Sequence, residues 1–180
     1  NSTELVMCTN LDSVYLIGIG GIGMSALARF FQSKGKYVAG YDRTSTHLTD
    51  QLAREKIDIH FIDKKALIPE EFQDPERTLV VYTPAIPESS RELNFFKDNG
   101  FRVIKRSVAL GEVFNAGEGI GVAGTHAKTS VSTMIAHIMH DSAYGCNAFL
   151  GGISKNFDSN LLIHRKSNTI IAEADEYDRS

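Results

Sequence analysis

The chain has 180 residues, 42% of them apolar, and a formal net charge of -3, so it can bury a core and global disorder is excluded. Lysine and arginine form no basic block, which argues against a nucleic-acid partner. No apolar run reaches membrane-spanning length and no charged-then-apolar leader opens the chain, so no membrane insertion is expected. Cys8 and Cys146 are far apart and lie in no C-x-x-C, as in a reducing compartment; the expected setting is the cytoplasm.

Residues 1–12 read as a polar lead-in. Val14 to Ile17 is a continuous apolar run, the mark of a buried parallel strand. It enters Gly18-Ile19-Gly20-Gly21-Ile22-Gly23, a G-x-G-x-x-G on Gly18, Gly20 and Gly23. A helix with Leu27, Phe30 and Phe31 inward follows and stops at Gly35. Tyr37 to Tyr41 is the next strand, closed by Asp42. Strand, glycine turn, helix, strand and acid make the Rossmann fingerprint for a nucleotide diphosphate, with the acid placed for a ribose hydroxyl. A glycine-rich turn that binds nothing fits the same residues.

The alternation goes on. Ser45 or Thr46 can cap a helix carrying Leu48 and Leu52. Strands are expected near 57–61, 79–82 and 101–104, with a broken helix or loop over 62–77. Thr83-Pro84-Ala85-Ile86-Pro87 is a stiff loop at the carboxyl end of its strand, the edge where open α/β sheets bind ligands. A helix is expected over 91–99, and Ser107 is expected to cap another through Phe114. The small, polar stretch Asn115 to Gly119 reads as a linker. Domain one is then 1–115 and domain two 116–180. The second supplies only two or three strands, so it is expected to be the truncated start of a larger domain.

That second unit opens on strand Ile120 to Ala123, the turn Gly124-Thr125-His126-Ala127-Lys128-Thr129-Ser130, and a helix with Val131, Met134, Ile135, Ile138 and Met139 on one face. Strand, turn, Lys-Thr and helix is the layout of a phosphate-binding loop. The pattern G-x-x-x-x-G-K-[ST] is not met, because its glycines fall on Val122 and Ala127. An ordinary turn with an exposed lysine remains open. Strand Thr169 to Ala172 runs into Glu173-Ala174-Asp175-Glu176-Tyr177-Asp178. An acid after such a strand is how nucleotide hydrolases hold Mg²⁺ from a second side, although an acidic stretch can equally be solvated surface. His47, His60, His137, His140 and His164 read as packing or surface residues.

The glycine turn with its Met24-Ser25-Ala26 extension, the Gly124 to Thr129 loop and the Glu173 to Asp178 run stand in one order that resembles the Mur ligases of peptidoglycan synthesis. The resemblance covers nearly the whole chain, including the Tyr82 to Ile86 loop, Lys105-Arg106 and Phe149 to Gly152. The extension is most similar to members that join L-alanine to UDP-N-acetylmuramate. The resemblance implies an α/β chain: a Rossmann-like, mainly parallel UDP-sugar domain, then the start of a P-loop ATPase domain. It implies ATP, Mg²⁺, UDP-N-acetylmuramate and L-alanine as cofactors and substrates, and an acyl phosphate as intermediate.

Carried over by residue, Gly124, Thr125, His126, Ala127, Lys128, Thr129 and Ser130 would bind ATP, with Lys128 catalytic on the β/γ-phosphates. Thr129 and Glu173 would hold Mg²⁺. Gly20, Gly21, Ile22 and Gly23 would meet the UDP diphosphate, and Asp42, Thr83 and Arg106 the UDP-sugar. Ala127 stands where the family has glycine, so the phosphate loop is expected to be weakened. A nicotinamide-dependent oxidoreductase, resting on the glycine turn and Asp42, is the alternative. A non-catalytic nucleotide-binding module is a third reading.

Overall fold

The structure is a computed structural model, and it describes residues 11–116, 118–122, 134, 147–154, 159–162 and 169–173. By their internal contacts the residues form two compact units. One is Cys8–Arg106; the other is Ser107–Ser180 with Asn1–Met7.

The first unit is an α/β sheet built as its apolar runs require. Strand β1 (Ser13–Ile17) has every residue buried, which explains its unbroken apolar character. Helix α1 (Ile22–Ser33) buries Leu27, Phe30 and Phe31, and positive-φ Gly35 follows it. Strand β2 (Tyr37–Tyr41) comes next, then α2 (His47–Arg54). Thr46 caps α2 through a reciprocal box with Thr49. Strand β3 is short (Asp58–His60). The region read as a broken helix holds two 3-10 turns, Lys65–Leu67 and Glu70–Phe72. Strand β4 (Thr78–Tyr82), helix α3 (Arg91–Asp98) and strand β5 (Arg102–Lys105) complete the unit.

The five strands lie in the order β3-β2-β1-β4-β5, all parallel. Strands are added outward from β1 first on one side and then on the other, so the switch point where such sheets take ligands lies between β1 and β4. The sheet ladder carries past the strand ends and pins the loops there. Gly18 N–H donates to the Tyr41 carbonyl at 2.7 Å, Thr83 N–H to Ile17 at 3.3 Å and Asp42 N–H to His60 at 3.2 Å. One apolar cluster, with Tyr15, Ile17, Phe72, Val80, Phe96 and Phe101, packs one face of the sheet.

Helix α4 begins at Arg106 and runs to Ala116, and β6 (Glu118–Val122) follows. Two expectations are corrected here. Ser107 lies inside the helix rather than capping it. The stretch Asn115 to Gly119 is not a linker, since it ends a helix and starts a strand with only position 117 between them. Small residues were tolerated at those sites by regular structure, as Ala116 in a helix readily is.

The second unit adds strands β7 (Asn147–Ser154), β8 (Ser159–Leu162) and β9 (Thr169–Glu173). With β6 they form a four-stranded sheet in the order β6-β9-β7-β8. Strand β9 is parallel to both β6 and β7, while β8 runs antiparallel to β7. Ile170 and Ile171 are buried. Met134 is helical but 64% exposed, against its expected place on a buried stripe; the other residues of that stripe lie outside the described residues. Among the described residues no helix is long and apolar enough to cross a membrane.

Gly40 in β2 is a packing constraint that its residue type alone does not reveal. A Cβ there would stand 2.3 Å from the Leu16 carbonyl oxygen and 2.9 Å from Ile19 Cδ1. The Leu16 atom is backbone and cannot swing away. Gly40→Ala is therefore expected to destabilise the first unit by about 1–3 kcal/mol, read as a lower midpoint in urea denaturation. An unchanged midpoint would show that β1 and β2 separate freely at this point.

Candidate functional site

The glycine turn between β1 and α1 is shaped by its neighbours. At Gly18, φ is +91° and a Cβ would meet Thr83 Cγ2 at 2.3 Å, so the β1 and β4 loops touch across the switch point. At Gly20, a Cβ would press on Asp42 Oδ2 at 2.7 Å and Thr49 Cγ2 at 2.9 Å. The Gly20 N–H donates to Asp42 Oδ2 at 2.7 Å, and Thr44 N–H donates to Asp42 Oδ1 at 3.1 Å. Asp42 thus clamps the glycine turn to the end of β2. A carboxylate has about four acceptor sites, so Asp42 keeps capacity for a ligand hydroxyl.

The Gly20 amide is turned onto Asp42, and the Gly21 N–H donates to the Gly18 carbonyl at 3.3 Å. Gly21 caps α1 without a side-chain hydrogen bond, and the first turn holds no acid. Such an end presents N–H groups and the positive pole of the helix. Gly23 sits in this turn. A Cβ on it would stand 2.7 Å from Arg106 Nη1 and 3.1 Å from Arg106 Cζ. The third glycine of the motif therefore makes room for an arginine, and a fixed cation lies against the helix start. Ile22 between them is 55% exposed.

A cleft of about 430 Å³ opens over these carboxyl ends, within the range of small-ligand sites. Of the residues expected at the UDP-sugar, Gly21, Asp42 and Thr83 line it, together with Gly18 and Ala85 to Pro87, whereas Gly20, Ile22, Gly23 and Arg106 are not among its lining residues. Tyr41, Arg43, Asp63 and Ser90 also line it, and sequence reasoning passed over them. Asp63 and Ser90 were findable, because both lie between a strand end and a helix start. Burial and the charges of Asp63, Glu92 and Asp42 raise the Tyr41 phenol above its ordinary pKa, so it stays a neutral donor.

Beneath the cleft lies a polar cluster that the apolar pattern concealed. Glu92 on α3 is fully buried. Tyr15 Oη donates to its Oε1, His60 Nε2 lies 2.8 Å from its Oε2, and Lys64 N–H donates to Oε2 at 3.2 Å. Asp63 caps the same helix by accepting from Arg91 and Glu92 N–H, both at 2.9 Å. His60 also packs beside Tyr41, their ring centroids 5.9 Å apart. The expectation that His60 is a packing residue holds, with the addition of a partner. The signal was Tyr15, whose hydroxyl in an apolar run had to find one.

The phosphate-loop residues Gly124 to Ser130, including Lys128 and Thr129, lie outside the described residues. So does the acidic run after Glu173. The backbone on either side is described. Strand β6 pairs with β9 so that Val122 faces Glu173. Val122, two residues before Gly124, and Glu173, the first acid of the later motif, thus end neighbouring parallel strands.

The family model described as Mur ligase family, catalytic domain, matches residues 13–118. The chain belongs to the Mur ligase family. Among relatives, it is 56% identical over 170 residues to the UDP-N-acetylmuramate–L-alanine ligase of Phocaeicola vulgatus, covering 94% of this chain and 37% of that protein. To that of Cytophaga hutchinsonii it is 52% identical over 175 residues, covering 96% and 38%. The chain thus spans well under half the length of these curated relatives. Among solved structures, it is similar to the UDP-N-acetylmuramate:L-alanyl-gamma-D-glutamyl-meso-diaminopimelate ligase of Neisseria meningitides. The TM-score is 0.76 at 26% identity, over 93% of this chain and 54% of that one. The UDP-N-acetylmuramate-alanine ligase MurC of Thermotoga maritima gives 0.71 at 25%, over 89% and 37%.

The buried cluster of this Mur ligase chain makes stability depend on alkaline pH. Burial, and then the Glu92 charge, hold the Tyr15 phenol far above its ordinary pKa. In the unfolded chain a tyrosine ionises near pH 10. Above that pH the unfolded state has released a proton that the folded state retains. The stabilisation is complete below about pH 10 and declines above it, by up to about 1.4 kcal/mol per pH unit. Tyr15→Phe should lose most of this slope, and about 1–3 kcal/mol at neutral pH because Glu92 loses a donor. Urea denaturation across that range tests both; parallel pH profiles for the two proteins would contradict the assignment.

Proposed function

We propose that this chain is the UDP-sugar-binding part, with the start of the ATP-binding part, of a ligase that joins L-alanine to the lactyl carboxylate of UDP-N-acetylmuramate. The observation that carries the reading is the glycine turn at the switch point, where Arg106 lies against Gly23 at the start of α1, which has no side-chain cap. That constellation suits a diphosphate: N–H donors, a helix pole and a guanidinium at one point. Gly21, Ile22 and Gly23 would meet the diphosphate. Gly20 acts by holding Asp42, and Asp42 and Thr83 line the adjoining cleft for the rest of the nucleotide sugar.

A carboxylate is a poor electrophile, and amide formation needs its oxygen made into a leaving group. Transfer of the γ-phosphoryl group of ATP to that oxygen gives ADP and an acyl phosphate. Attack by the alanine amine forms the C–N bond, breaks the C–O bond and releases phosphate, and the nitrogen gives up a proton. In this reading Gly124 to Ser130 surround the ATP phosphates, and Lys128 neutralises charge that shifts during transfer. Thr129 and Glu173 would hold Mg²⁺. The Val122–Glu173 register supports their meeting at one sheet edge, and a hydroxyl with a carboxylate is an oxygen set suited to that hard ion. Bound there, Mg²⁺ supplies further neutralisation of phosphate charge. The cytoplasm, where nucleotide substrates reside, suits this chemistry.

Titrating the chain by calorimetry with UDP-N-acetylmuramate, and separately with NAD⁺, tests the first site. The UDP-sugar is expected to bind, and Arg106→Ala to weaken it by about 10- to 100-fold through loss of a charged hydrogen bond. Micromolar binding of NAD⁺ with no response to the UDP-sugar would establish the oxidoreductase alternative instead.

The second site has its own test at Ala127. In this reading a Cβ there would strain a positive φ or touch the phosphates. Ala127→Gly in the full-length protein is expected to tighten ATP–Mg²⁺ binding about fivefold, equivalent to roughly 1 kcal/mol. Equal affinities for the two proteins would show that the loop accommodates alanine.

A further inference from the structure

The segment after β3 has a second face. Asp63 looks onto the cleft, but Lys64 and Lys65 line a separate groove of about 580 Å³, between the first 3-10 turn and the flank of α3. Arg91 adds a third cation from the first turn of α3, and Asp98 stands at the other end of that helix. Arg91, Asn94, Phe95 and Asp98 follow the i, i+3, i+4, i+7 spacing of one helical face. Over that distance the helix rises roughly 10 Å, so the groove is cationic at one end and acceptor-rich at the other.

Three features distinguish it from an ordinary solvated surface. First, Lys64, Lys65 and Arg91 have no salt bridge among the described residues, so three like charges share one concavity with a single carboxylate at its far end. Second, the backbone carrying them is fixed. Lys64 N–H is held by Glu92, and Arg91 N–H by Asp63. Third, the amides are oriented. Asn94 Nδ2 donates to the Glu88 carbonyl at 2.8 Å and Asn99 Nδ2 to Phe95 at 2.7 Å, which leaves both Oδ1 atoms as acceptors. Half-buried Phe95 gives the wall between them an apolar surface.

We propose that this groove binds a small phosphate ester. Its phosphate sits among Lys64, Lys65 and Arg91, and a hydroxyl or amino group reaches Asn94, Asn99 or Asp98. Arginine grips a phosphate by a two-pronged contact and lysine adds point charge. The far end favours an ester carrying a donor over a bare phosphate. The site is separate from the glycine turn and does not rest on the ligase reading.

Glycerol 3-phosphate is the probe. In the ¹⁵N-labelled chain it is expected to shift the amide resonances of Lys64, Lys65, Ala66, Arg91 and Asn94 saturably, at concentrations up to about 10 mM. Lys64→Ala combined with Arg91→Ala should weaken binding at least about tenfold. Both residues line the groove and are exposed, so resonances elsewhere should stay in place. Saturable shifts confined to residues 20–24 would overturn the proposal, as would no saturable shift at all or equal binding by the double variant. Because the wild-type map is decisive by itself, the outcome stands even if the variant folds poorly.

Discussion

All five strands of the first sheet run in one direction, and most of what the unit can do follows from that. A parallel sheet delivers every strand's carboxyl end to the same edge. The glycine turn, Asp42, Asp63 and Thr83 come from four different strand ends, yet one edge holds them all. The register is carried beyond the strands by hydrogen bonds from Gly18 and Thr83, so the loops inherit the sheet's rigidity. A site assembled this way has little freedom left to lose when a ligand arrives.

The first sheet was legible because its physics is repetitive. Apolar runs such as Val14 to Ile17 and Leu79 to Tyr82 sit in strands, and Gly35 and Gly100 follow helices with positive φ. Strand ends shifted by a residue or so. The stretch from Asn115 to Gly119 misled for a definite reason: small residues signal a loop only by composition, and backbone hydrogen bonding overrode them. The antiparallel β8 also went unread, because Ser159–Leu162 is too short to show a period.

The site was legible in part. Gly20, Asp42, Gly23 and Arg106 could each be picked out, but not their pairing. That Asp42 holds the Gly20 amide, or that Gly23 clears space for Arg106, is a fact of three dimensions with no sequence signature. Glu92 illustrates the limit more sharply. On a helix rich in polar residues a glutamate reads as surface, and the Tyr15 hydroxyl, His60 and the Lys64 N–H make its burial tolerable. Its three donors turn a liability into a fixed point between α3 and the sheet.

The order of strands in the second sheet bears on how the chain assembles. Strand β9 is the last of its four in sequence but lies between β6 and β7. Among the described strands β6 pairs only with β9, so until residues 169–173 are made it has no partner among them, and the β7–β8 pair stands apart from it. The first sheet has the opposite history: β1, β2 and β3 can pair as they emerge, and β4 and β5 add to the open side. On a ribosome the first unit can therefore close while the second waits for its central strand. The second unit's pairing spans some fifty residues and is the slower to search. The unpaired edges of β6 and β7 are the surfaces that must avoid other chains during that interval.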